Sequence, residues 1–307
     1  MSSLTIICYL DCDVKMGRKK VDAVKPPLVM KRLLIFEDET EPNIETDPWR
    51  VEAVELLRMS DRSSVFRATI LRKIGDPLDA VLKLDHTAKR EEAFYREAAA
   101  YETCAKNLQG SVVPFFYGLF SVEIGTKTVS CLVTQYCGSP LERDLYHTDH
   151  AFKVELLKTV DLLHRRGINH GDLSERNILN DNGRPVLVDL EDVSPHTCDL
   201  HLRVVQGALA PQIEEFGCAE LHDLILNMGF WKCDEFTFYT AGLHKSDVDS
   251  VDYIKYFLPR PHSEKPDPWY QSLEHEAESL WETICQERLL TYGTSKLSEC
   301  KTRLDML

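Results

Sequence analysis

One eight-residue string gathers groups able to do chemistry: His170-Gly171-Asp172-Leu173-Ser174-Glu175-Arg176-Asn177. Asp172 and Asn177 stand five residues apart, and Asp189 follows twelve residues later, at the end of the apolar run Val186-Leu187-Val188. Phosphoryl transfer asks for few protein groups: a carboxylate to orient the attacking hydroxyl and accept its proton, and oxygen ligands for Mg2+. A turn presenting one Asp and one Asn, beside a strand end presenting a second Asp, supplies them. Singly, Asp172 and Asn177 read as caps of local turns and Asp189 as the end of a strand. Their joint order is what points to catalysis.

Such residues need elements to hold them. Before the string, Phe152, Leu156, Val160 and Leu163 recur at helical spacing, which predicts an amphipathic helix from Ala151 to Arg166, stopped by Gly167. After it come Ile178-Leu179, a turn from Asn180 to Pro185, and Val186-Leu187-Val188, a short strand pair. Upstream, Val54 to Leu57, Val65 to Leu71 and Ala80 to Leu84 read as strands, and Lys89 to Lys106 as a helix without Pro or Gly. Phe116 to Ile124 and Cys131 to Tyr136 read as two more strands. Glu214 to Asn227 and Ser272 to Leu290 look helical. A β-rich half joined to a mainly helical half predicts an α+β plan in two parts. Residues 1 to 45, with Arg18-Lys19-Lys20, Pro26-Pro27 and an acidic stretch from Glu37 to Glu41, are expected to be irregular, apart from a short strand at Arg32 to Phe36.

The pattern His-x-Asp-x-x-x-x-Asn, followed by an apolar strand ending in Asp, resembles the catalytic and metal-binding loops of the protein-kinase superfamily. The resemblance runs from about residue 50 to about residue 230, roughly three-fifths of the chain. Ala80-Val81-Leu82-Lys83 looks like the third strand with its phosphate-binding lysine, and Glu97 is placed to pair with Lys83. Val133-Thr134-Gln135-Tyr136-Cys137-Gly138 looks like the fifth strand and hinge, where backbone groups at Gln135 and Cys137 would bind adenine. Aligning Val65 with the valine of the glycine-rich loop puts Arg58, Ser60 and Ser63 where glycines belong, with Ser60 and Ser63 as the hydroxyl donors to phosphate. The string H-G-D-L-S-E-R-N-I-L closely resembles the RIO kinases, and His-Gly-Asp also occurs in aminoglycoside phosphotransferases. The wider combination, with Pro195-His196-Thr197-Cys198 after the metal aspartate, is similar to uncharacterised fungal kinase-like proteins.

That resemblance implies a bilobal protein-kinase-like fold: an N-terminal extension over 1–45, a β-rich lobe with one helix over 46–136, a mainly helical lobe over 137–295, and a tail over 296–307. It implies ATP and Mg2+ as cofactors, with Lys83, held by Glu97, clamping the α- and β-phosphates, Asn177 and Asp189 holding the metal, and Asp172 orienting a hydroxyl acceptor. The acceptor would be a Ser or Thr of a protein. Two other readings stay open. One is a small-molecule kinase of the aminoglycoside type, for which Asp234-Glu235 is the visible acidic pair. The other is a non-catalytic scaffold that binds nucleotide. Gly171 stands where phosphorylation-activated kinases carry an arginine that reads a phosphate, so no such switch is expected. His170 is expected to pack and hydrogen-bond rather than exchange protons.

Bulk properties narrow the partners. The 307-residue chain carries a formal net charge of -14, which opposes nucleic-acid phosphates and anionic membranes. The apolar run from Leu4 to Leu10 is too short to span a membrane and has no basic residue before it. Ten scattered cysteines without a Cys-x-x-Cys pair read as reduced thiols of an intracellular, cytoplasmic protein. Cys198-x-x-His201 and Cys218-x-x-x-His222 have a composition able to hold Zn2+. The apolar neighbours of the second pair favour core packing instead, buried thiols being common.

Overall fold

A computed structural model of the chain describes residues 3–6, 28–33, 49–60, 63–72, 75–85, 91–124, 127–200, 202–259 and 268–292. The fold is α+β, with a curled, almost wholly antiparallel sheet and six α-helices among the described residues. Contacts divide the chain into two compact units, Met1–Pro140 with Ile168–Pro195, and Leu141–Gly167 with His196–Leu307.

The first unit holds β1 (Ser3–Ile6), β2 (Leu28–Leu33), β3 (Trp49–Met59), β4 (Ser63–Leu71), β5 (Leu78–Asp85), α1 (Glu91–Glu102), β6 (Phe116–Ile124), β7 (Lys127–Gln135) and β8 (Ser139–Pro140). It then resumes with β9 (Ile168–Asn169), β10 (Ile178–Asp181), β11 (Arg184–Leu187) and β12 (Ser194–Pro195). The first seven strands close a barrel in the order β1-β2-β6-β7-β5-β4-β3. Alternation explains its inside: Ala68 and Ile70 of β4 and Ala80, Leu82 and Leu84 of β5 pack with Val51, Phe120, Cys131 and Val133. The intervening residues, Lys83 among them, therefore face outward.

Two segments within the start expected to be irregular are strands. Ser3–Ile6 and Leu28–Leu33 are strands, paired Thr5↔Val29 with each other and Arg32↔Phe120 with β6, and β1 runs parallel to β3. Their partners lie up to about ninety residues away in sequence, so local composition gave little sign of them beyond the end of β2. The strand expected at Arg32 to Phe36 overlaps β2 at Arg32 and Leu33, and the rest of that stretch lies outside the described residues, as do Lys89 and the C-terminal tail.

The second unit contains α2 (His150–Arg165), α3 (Ile213–Phe216), α4 (Ala219–Asn227), β13 (Glu235–Phe238), β14 (Ala241–His244), α5 (Val251–Lys255) and α6 (Pro268–Tyr292). Asp149 caps α2, its Oδ2 accepting from the N–H groups of Ala151 and Phe152. The single helix expected from Glu214 to Asn227 is two, broken at Gly217, which sits left-handed at φ 87°. The hairpin β13–β14 interrupts a half expected to be mostly helix. Its strands have four residues each, too short for a clear alternation. Phe238, Leu243, Val248, Ile254, Leu258, Ala277 and Ile284 form the core around it. Beside them, buried Lys245 pairs with Glu287 at 2.7 Å.

Candidate functional site

β5 presents Lys83 on the barrel's outer face, directly across from Val65 of β4. The Lys83 ammonium donates to Glu97 Oε2 at 2.6 Å and to Asp189 Oδ1 at 2.7 Å. Glu97 belongs to the buried face of α1, with Phe94, Ala98 and Tyr101, and Phe94 lays its ring 5.5 Å from Nζ. Burial pushes the Lys83 pKa down, but the carboxylates of Glu97 and Asp189 outweigh it and hold the ammonium above the ordinary lysine range. Burial pushes the Glu97 carboxyl up, against the pull of Lys83.

Asp189 takes a left-handed backbone conformation, φ 67° and ψ 64°, separated from the end of β11 by Val188 and just before the one-turn helix Leu190–Asp192. Asp tolerates this conformation better than most residues. Leu190 is buried, and Arg96 of α1 donates to the Glu191 carbonyl at 3.3 Å, so the turn is anchored on α1. Glu97, Asp189 and Glu191 bring one carboxylate oxygen each within 4.8 Å of the others.

The loop from His170 to Asn177 is fastened from beneath. Fully buried His170 donates from Nε2 to the Val188 carbonyl at 3.1 Å, and its Nδ1 accepts from the Asp172 N–H at 3.4 Å. That pair of bonds requires the neutral Nε2–H tautomer. Gly171 has φ 84°, and a Cβ there would lie 2.5 Å from the Asp192 carbonyl oxygen, so only glycine lets the loop pass this close. Asn177, also buried, donates from Nδ2 to the Asp172 carbonyl at 3.0 Å and to Asp172 Oδ2 at 2.8 Å. The atom Asn177 can offer a cation is therefore Oδ1.

Arg176 donates to Asp172 Oδ2 at 2.7 Å. Its hydrogen bond, aided by that of Asn177 and opposed by partial burial, holds the Asp172 carboxyl below the usual carboxylate range. The guanidinium also feels the charges of Asp189 and Glu191. Sequence reading passed over Arg176 and Glu191. The available signals were an arginine one helical turn after Asp172 and a second carboxylate two residues after Asp189.

Ser60 and Ser63 close the tip between β3 and β4 on themselves. The Ser60 N–H and hydroxyl both donate to the Ser63 carbonyl, at 2.9 and 3.1 Å, and the Ser63 N–H donates to Ser60 Oγ at 3.1 Å. Gln135, at the end of β7, donates from its backbone N–H to the Phe115 carbonyl at 2.8 Å. Cys137 turns its side chain into a small core with Leu179 and Val186, and burial pushes its thiol up to about 11. Its neighbour Gly138, at φ 85°, passes so close to the Asn180 backbone that a Cβ would run into the carbonyl. Lys83, Glu97 and Asp189 are thus in direct contact, and so are Asp172 and Asn177, whereas Ser60 and Ser63 contact each other.

Other sequence candidates belong to the second unit. Asp234 accepts from both the N–H and the hydroxyl of Ser246 at 2.8 Å, closing the β13–β14 region. His222 donates from Nε2 to the Pro211 carbonyl at 2.9 Å, and His201 lies outside the described residues. Among the described residues no helix is long and apolar enough to cross a membrane. Comparison with protein-family models returned no match, and comparison with curated proteins returned none either.

Proposed function

We propose that the chain is an ATP- and Mg2+-dependent phosphotransferase of protein-kinase type, with a kinase-like bilobal fold, acting on a hydroxyl of protein Ser or Thr. The observation that carries this reading is Lys83 held at once by Glu97 and Asp189, at 2.6 and 2.7 Å. A lysine fixed by two carboxylates presents its charge in one direction, which suits a phosphate better than a mobile surface lysine does. In this reading Lys83 positions the α- and β-phosphates, and Asp189 Oδ and Asn177 Oδ1 are the metal ligands. Bound Mg2+ would neutralise charge on the phosphate oxygens. Asp172, ionised and oriented by Arg176 and Asn177, aligns the acceptor hydroxyl and takes its proton.

Asp234 is engaged with Ser246, and exposed Glu235 is the other half of the acidic pair on which the small-molecule reading rests. The self-bonded Ser60–Ser63 tip favours, as the second reading, a scaffold that binds nucleotide without turnover. Labelled ATP and a mixed protein substrate decide between these. The wild type should transfer phosphate and gain thermal stability with Mg-ATP. Asp172→Ala should lose at least about 100-fold in turnover while keeping the thermal shift, as expected for a positioned base. A shift without transfer would support the scaffold, and no shift with or without Mg2+ would remove both readings.

A further inference from the structure

Four side chains of the second unit converge on one point. His164 lies in the last turn of α2, Cys218 stands just before α4, and His196 and Cys198 share one short segment. Nδ1 of His164 and Nε2 of His196 each lie 3.7 Å from Cys218 Sγ. One donor atom from each of the four residues lies within 4.8 Å of all the others. With Zn–S near 2.3 Å and Zn–N near 2.05 Å, the S···N edge of a tetrahedral zinc site is about 3.6 Å, so these separations are those of ligands around one ion.

Hydrogen bonding alone accounts poorly for the cluster. Cys218 Sγ faces two imidazole nitrogens and also interacts with Cys198, three neighbours crowded on a sulfur that is only a weak donor and a weak acceptor. Cys218 occupies an N-cap position and makes no side-chain capping bond, although residues that cap there do so through a hydroxyl or carboxylate. Behind His164, Glu220 Oε2 lies 2.7 Å from Nε2. A carboxylate on that nitrogen fixes the proton at Nε2 and turns the Nδ1 lone pair toward the cluster, the arrangement found behind metal-binding histidines. His164 and Cys218 are 3% and 2% exposed, so the point of convergence is largely shielded from water.

We propose that His164, His196, Cys198 and Cys218 form a structural Zn2+ site, with Glu220 orienting His164 from outside. Four protein ligands of Cys2His2 type leave no open position, which makes the site structural rather than catalytic. Its ligands differ from the two Cys–His pairs visible in sequence: both cysteines are used, but the histidines come from His164 and His196. The site stands independently of the phosphotransfer reading, since it shares no residue with it.

The test uses the full chain, purified in reductant without chelators. Elemental analysis should find about one zinc per chain, and Cys198→Ser and His196→Gln should each bring this below about 0.2, as loss of one ligand from four predicts. Co2+ exchanged into the wild type should give an intense thiolate-to-cobalt absorption band. That spectrum decides the matter even if a variant fails to fold. Glu220→Gln should weaken zinc binding roughly 10–100-fold in chelator competition. A reduced wild type that contains no zinc and takes up neither Zn2+ nor Co2+ would overturn the proposal. So would a Cys198–Cys218 disulfide found after alkylation trapping in the cell.

Discussion

Asp172 derives its properties from the residue four places on. The Arg176 guanidinium bonds its carboxylate directly, and the depressed pKa follows mainly from that bond. The sign is that of a lowered carboxylate: the ionised form persists as pH falls through the ordinary range near 3.9, and is lost only below it. Arg176→Gln keeps a hydrogen-bond donor but removes the charge. Its acid limb in kcat/KM, or the carbon-13 titration of the Asp172 carboxyl, should move up toward the ordinary value. An unmoved titration would take Arg176 out of this role. The pairing was not obvious in sequence, because an Arg four residues after an Asp is also what an exposed surface turn contains.

The loops that carry these residues are fixed by backbone passing against backbone. Gly171→Ala should cost about 1–2 kcal/mol for the left-handed conformation alone, and more for displacing the Asp192 carbonyl. Gly183 offers the control: its φ is 90°, but nothing lies within 4 Å of its added Cβ. Denaturant unfolding should therefore show a larger loss for Gly171→Ala than for Gly183→Ala, and equal losses would refute the steric account. Elements with strong local patterns were readable. The α2 helix was expected from Ala151 to Arg166 and runs from His150 to Arg165, and β4 starts two residues before its expected Val65. The strand β1 was not readable and β2 was read only at Arg32 and Leu33, because distant pairing makes them strands. The same holds for β13 and β14, whose four-residue runs carry too little periodicity.

Across the whole chain, acidic residues outnumber basic ones 50 to 36. Any nucleotide phosphate approaches against that field, and Lys83 is a local exception within it. Raising ionic strength from about 0.01 M to about 0.15 M shortens the Debye length from about 30 Å to about 8 Å and screens the long-range repulsion. Stopped-flow measurement with a fluorescent Mg-ATP analogue should then show association becoming faster, opposite to the behaviour of a basic nucleic-acid binder. Slower association would mean that a local positive field dominates. At this scale the site was legible only through an ordered set of motifs. Lys83 and Asp189 are 106 residues apart, and no spacing rule joins them without the resemblance that orders the chain. The zinc cluster was half legible: its cysteines stood out, but His164 looked like one more residue on an amphipathic helix, and its partners arrive through the fold.

The tip between β3 and β4 sets a threshold for whatever reaches it. Ser60 and Ser63 serve as each other's partners, so a solute competing for those groups faces an intramolecular rival with a very high effective concentration. A neutral hydroxyl or amide offers no stronger a bond than the one it would displace. A phosphate oxygen does, because an ionised acceptor makes a bond roughly twice as strong. For the Ser60 and Ser63 donors, an anionic acceptor is therefore a stronger competitor than a neutral solute of the same size.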